Sequence, residues 1–120
     1  MEREHEEAMR REFAERVELN HSAYRSGVTE QQMDALYDHS RQYNQRWLNG
    51  PHAEHWQFLD DAYHDWRDRP DTMRRLTENL RHGRATGDNG GFTDVQYRSV
   101  EQAGRLVETE RTRSRAERGR

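Results

Sequence analysis

The chain has 120 residues, the size of one ordinary domain, and with 30% hydrophobic against 36% charged residues and a mean hydropathy of −1.50 it has little apolar area to bury. There is no Cys, which excludes disulfides, thiolate metal ligands and cysteine nucleophiles. No apolar run approaches a membrane span or a signal core, so the expectation is a cytoplasmic protein with no membrane role.

The net charge of −3 is modest, and three Trp and five Tyr add apolar area, which argues for a folded kernel rather than a disordered chain. All 20 basic residues are Arg, as codon bias in a GC-rich genome would give, and an accessory or phage gene fits that composition.

In chain order, Met9, Phe13, Val17, Asn20 and Tyr24 recur at spacings of three and four, one face of a helix over Glu2 to about Tyr24. Glu6 with Arg10, Glu7 with Arg11 and Glu12 with Arg16 support it as i,i+4 pairs, and Gly27 ends it. A second helix opens on Thr29 as N-cap with Gln32 at N3, a capping box, and Val28 is placed to staple onto Met33. Met33, Leu36, Tyr37, Ser40, Tyr43, Trp47 and Leu48 trace its buried stripe, and Asn49-Gly50-Pro51 stops it.

A third helix is predicted from Pro51 to Arg67 with Trp56, Leu59, Tyr63 and Trp66 on one face. Pro70 and Asp71 start a short fourth one through Met73, Leu76 and Leu80, ended by Gly83. Residues 83–91 hold four Gly and read as a mobile connector or hinge. Thr93 with Gln96 repeats the capping box, with Phe92 placed to staple onto Tyr97, and a fifth helix follows through Val100, Ala103 and Val107. Shifted by 64 residues, Met9 falls on Met73, Gly27 on Gly91, Thr29 on Thr93 and Gln32 on Gln96, which raises a duplicated helical hairpin against chance convergence of helix-start chemistry.

Candidate chemistry is sparse. His52-Ala53-Glu54-His55 resembles a ligand cluster, but His64 lies too far along the same helix to join it, and metal binding needs three or more converging donors. The His-x-Glu element of zinc deaminases recurs in His52-Ala53-Glu54, yet its Cys-containing partner motif cannot exist here. Asp61-x-x-His64 could join a carboxylate-bridged di-iron site only with Glu2-x-x-His5, at the chain's end. No Ser lies in a nucleophile elbow, and the Gly-rich loop lacks the end of a P-loop, though its N–H groups leading into Thr93 could meet an anion. A helix-turn-helix reader would present Asp60, Asp61, Asp65 and Asp68 to phosphates, which repels them.

These observations favour an all-α protein, a small bundle of four to five short helices with polar, partly disordered ends. A single domain over 1–110, with its kernel at 28–82, would precede an Arg-rich flexible tail over 111–120. No catalytic residue, metal or cofactor is expected. The expected function is non-enzymatic: binding a protein partner or forming a homo-oligomer through Trp47, Trp56, Tyr63 and Trp66, because aromatics so numerous in a chain so poor in aliphatics gain cover from a partner. The alternative is contact with a nucleic-acid backbone or an acidic partner through Arg111, Arg113, Arg115, Arg118 and Arg120, without base stacking, since no aromatic lies among them. A His/Asp metal-dependent enzyme is the third and least favoured reading.

Overall fold

The computed structural model describes residues 1–118, with burial described through Ala116. Among them are five helices and no strand: α1 Arg3–Ala23, α2 Glu30–Leu48, α3 Ala53–Asp68, α4 Pro70–Ala85 and α5 Asp94–Arg118. The all-α bundle expected from periodicity is therefore what forms. No helix among the described residues is long and apolar enough to cross a membrane. The chain divides into two compact units, Met1–Trp56 and Gln57–Arg120, so the first turn of α3 belongs to one and the remainder to the other.

In the first unit α1 buries Met9, Phe13 and Val17 as its spacing requires, and Trp56 joins them with no exposed surface. The Phe13 and Trp56 rings meet edge to face, 5.3 Å apart at 72°, and Trp47 stacks on Trp56 at 5.5 Å. The stripe of α2 is half-buried apart from buried Ser40 and from Leu48, expected on it but exposed at the helix's last residue; its aromatic bodies lie inward while their polar tips reach out to carboxylates on α1. The Tyr43 hydroxyl donates to Glu15 at 2.5 Å and the Trp47 indole N–H to Glu12 at 3.2 Å, and Arg46 pairs with Glu12. Tyr24, expected on the buried face, is 76% exposed: α1 ends at Ala23, and as C-cap Tyr24 turns its ring out, edge-on to Tyr37.

The second unit buries Leu59, Ala62, Tyr63, Met73, Leu80, Val100, Ala103 and Val107. Buried apolar side chains thus run from Met9 to Val107, well beyond the expected 28–82 kernel, because a three-residue stripe on α1 and another on α5 suffice to close each unit. Gly104 fixes how α3 meets α5: a Cβ there would stand 2.8 and 2.9 Å from Cε2 and Cζ2 of Trp66, so only Gly lets the indole lie on the helix. The indole N–H then donates to the Val100 carbonyl at 2.9 Å. Tyr63 donates to Glu110, and Arg111 donates to the Trp66 carbonyl at 3.3 Å.

These ties carry α5 past position 111, where the sequence reading opened a flexible tail. No Gly or Pro interrupts Arg111–Arg118, and the Thr109 and Thr112 hydroxyls bond carbonyls one turn back. Helix α4 likewise runs through Gly83 to Ala85. Its Gly accommodates the returning loop, whose Asp88 carbonyl would lie 2.6 Å from a Cβ at 83 and whose Asp88 N–H donates to the Gly83 carbonyl at 2.7 Å. The connector from there to α5 is held by Asp88 and Asn89 side chains accepting from the N–H groups of Gly90 and Gly91.

The 64-residue correspondence extends to structure within each unit. Gly27 and Gly91 both adopt positive φ, +87° and +83°. Thr29 and Thr93 both close capping boxes with Gln32 and Gln96, and Met9 and Met73 are both buried. A helix, a glycine turn and a Thr-capped helix thus occur once on either side of α3.

Candidate functional site

Of the four aromatic residues expected to meet a partner, Trp47 and Trp56 belong to the first unit and Tyr63 and Trp66 to the second. Trp56 is fully buried and Tyr63 is 8% exposed, both filled in by the chain's own helices, so neither is offered outward. Trp47 and Trp66 are half-buried, with their indole N–H groups already donating to Glu12 and to Val100. This corrects the burial argument at those positions: Phe13 and Gly104, which no composition count weighs, supply the cover.

Of the arginines, Arg111 and Arg115 share a groove of about 330 Å³ with Arg67, Val107, Glu110 and Ser114. Arg113 is half-buried on the same helix. The Arg118 side chain and all of Arg120 lie outside the described residues. The groove is positive by two net charges, with Glu110 among three guanidinium groups.

His5, His52 and His55 come together in the first unit, with ring centres 4.8 Å apart for His5 and His52 and 6.3 Å for His52 and His55. Burial holds the His52 imidazole below its ordinary pKa, and the neighbouring His5 and His55 push it the same way. No three His, Cys, Asp or Glu side chains among the described residues are disposed to hold a metal ion. Elsewhere charged groups pair across elements: Arg84 holds the Asp94 carboxyl below its usual range by hydrogen bond and charge, and Glu101 raises Arg81.

One surface stands apart from this lattice of charge. A cleft of about 230 Å³ opens in the second unit, with Ala62, Met73 and Val100 as its buried floor and half-buried Phe58, Leu76 and Phe92 as its walls. Three segments build it. Phe58, Ala62 and Asp65 lie at i, i+4 and i+7 on α3, beside the Leu59, Tyr63 and Trp66 stripe; Met73 and Leu76 come from α4; Phe92 and Val100 come from the turn into α5 and its second turn. Phe92, expected to staple onto Tyr97, packs edge-on against Phe58 instead, at 6.2 Å and 70°, while the Tyr97 ring is covered by the Arg84 guanidinium at 4.3 Å.

Asp61 and Asp65 complete the lining, and none of the lining residues is basic. Asp61 is exposed and accepts from the neutral Gln57 amide at 2.9 Å; among the described residues no cation pairs with it. Asp65 is 3.7 Å from Arg69. Leu76 and Phe92 stand out in the sequence only singly, on separate segments, while Phe58 shows its place only as the start of a second apolar row, with Ala62, on α3. Compared with known protein families, curated proteins and solved structures, the chain matches none.

Proposed function

We propose that this chain is a non-enzymatic protein-binding module of the cytoplasm that docks a partner through the α3–α4–α5 cleft of its second unit. The observation that carries this reading is three large apolar side chains, Phe58, Leu76 and Phe92, left half-covered around one opening in a chain with so few of them. A volume of about 230 Å³ falls below the roughly 300–1,000 Å³ of small-molecule sites and suits a single anchoring side chain. Burying such an anchor in a desolvated pocket is how hot spots gain most of their energy.

The test uses the full chain to select binders from displayed random peptides, with affinities then measured by fluorescence polarisation. Selected peptides should lose about tenfold or more in affinity to Leu76→Glu, which sets a charge in the cleft wall, and also to Phe92→Ser, each checked for unchanged helicity. Absence of any cleft-dependent peptide would contradict the reading.

The groove of Arg67, Arg111 and Arg115 favours a second reading, sequence-independent contact with a nucleic-acid backbone. Binding of a labelled DNA or RNA duplex that weakens steeply with salt and is lost in the triple Arg→Gln variant at those positions supports it. Equal binding by that variant removes it.

A further inference from the structure

Resting on the docking role of the cleft, we infer the kind of partner it takes: a helical segment of another protein that carries one bulky apolar anchor and, a turn away, an Arg or Lys that pairs with Asp61.

The walls of the cleft are side chains on helices, and no strand exists among the described residues, so a partner cannot dock by adding a strand to a sheet edge. What remains is recognition by side chains, and an amphipathic helix places an anchor and a polar residue three or four positions on along one face. The apolar floor takes the anchor. The rim decides what stands beside it.

That rim is acidic and incompletely satisfied. Asp61 faces solvent at the cleft with a neutral amide as its hydrogen-bond partner, whereas three acidic groups of this unit outside the cleft lining have cations: Asp71 has Arg74 at 2.7 Å, Asp94 has Arg84 at 2.7 Å and Glu101 has Arg81 at 3.1 Å. Asp65, one turn on, has only the exposed and distant Arg69. Asp65 stands in the last turn of α3, at the negative end of the helix dipole, where a cation rather than an anion is favoured, and Asp61 lies one turn before it. A cation brought by the partner would relieve both mismatches at once, and an acidic partner would be repelled. Asp61 therefore sets specificity through charge, and the apolar walls set affinity.

The experiment compares peptides selected against the full chain, as displayed helical sequences, with the full-length Asp61→Asn and Asp61→Arg variants. Enriched peptides should place Arg or Lys three or four residues from a Leu, Phe, Met or Trp. Asp61→Asn should weaken them about two- to fivefold, the size of one exposed ion pair, and Asp61→Arg by about tenfold or more. A peptide with that Arg changed to Glu should regain affinity for Asp61→Arg and not for the parent chain. Peptides that depend on Leu76 but show no basic preference and no response at Asp61 would overturn this inference and leave the docking role standing. If no selected peptide depends on Leu76, the docking role falls first. Concentration-dependent self-association that Leu76→Glu abolishes would put a second copy, not another protein, in the cleft and would also overturn it.

Discussion

Replacing Gly104 by Ala should destabilise the second unit, although the same change in an open helix would stabilise it by about 1 kcal/mol. The added Cβ would stand 2.8, 2.9 and 3.3 Å from Cε2, Cζ2 and Cδ2 of Trp66, against an ordinary carbon contact of about 3.5–4.0 Å. The indole must retreat by roughly 0.7 Å. It is tethered as it does so, because its N–H donates at 2.9 Å to the Val100 carbonyl one turn earlier on the same helix. Overpacking of this kind costs about 1–3 kcal/mol and a weakened hydrogen bond about 0.5–1.5 kcal/mol. Against the helix-propensity gain, the net loss is roughly 1–3 kcal/mol. Urea denaturation followed by circular dichroism reads this as a lower midpoint with an unchanged slope. The decisive control is a double-mutant cycle with Trp66→Phe, which removes the two atoms nearest the new methyl group. In that background Gly104→Ala should become neutral or stabilising, giving a coupling of about 2 kcal/mol between the two positions. A Gly104→Ala protein stabilised by about 1 kcal/mol with Trp66 in place would refute the packing argument.

Phe13→Ala removes the ring against which Trp56 is set edge-on and should cost about 3–5 kcal/mol in the same assay, with a changed indole emission. Thr29→Ala and Thr93→Ala each remove a capping box and should cost about 1 kcal/mol apiece; additivity in the double variant follows because the two caps share no hydrogen-bond partner. For pH, the folded protein holds His52 below its unfolded value, so between those two values the unfolded chain binds more protons and stability rises with pH. The contribution is complete above about pH 6.5 and is lost as pH falls through the depressed value; His52→Gln should flatten that slope, and an unchanged slope would place the titration elsewhere.

What could be read from the residues divides by distance along the chain. Thr29 with Gln32 and Thr93 with Gln96 act within one turn, so their capping boxes were legible letter by letter. The stripes of Met9, Phe13 and Val17 and of Val100, Ala103 and Val107 follow from helical spacing alone. The extent of α5 was less so, since a run of Arg, Thr and Ser has the composition of a tail; its helicity draws on Tyr63 and Trp66, some forty-five residues earlier. The fate of the aromatics was hidden for the same reason. Trp56 looks like an interface residue until α1 brings Phe13 to it, and Trp66 looks uncovered until Gly104 admits it. The His5 and His52 contact joins residues far apart in sequence, as does the cleft, whose Phe58, Leu76 and Phe92 belong to three different segments. A pattern within one helix cannot show what a later helix returns to cover.

Backbone amide shift mapping of the isotope-labelled full chain, titrated with a selected peptide, tests the docking role most directly. The account predicts saturable shifts centred on Phe58, Leu76 and Phe92, with Asp61 among them. Shifts centred on Arg111, Arg113 and Arg115, with the cleft residues unmoved, would contradict it.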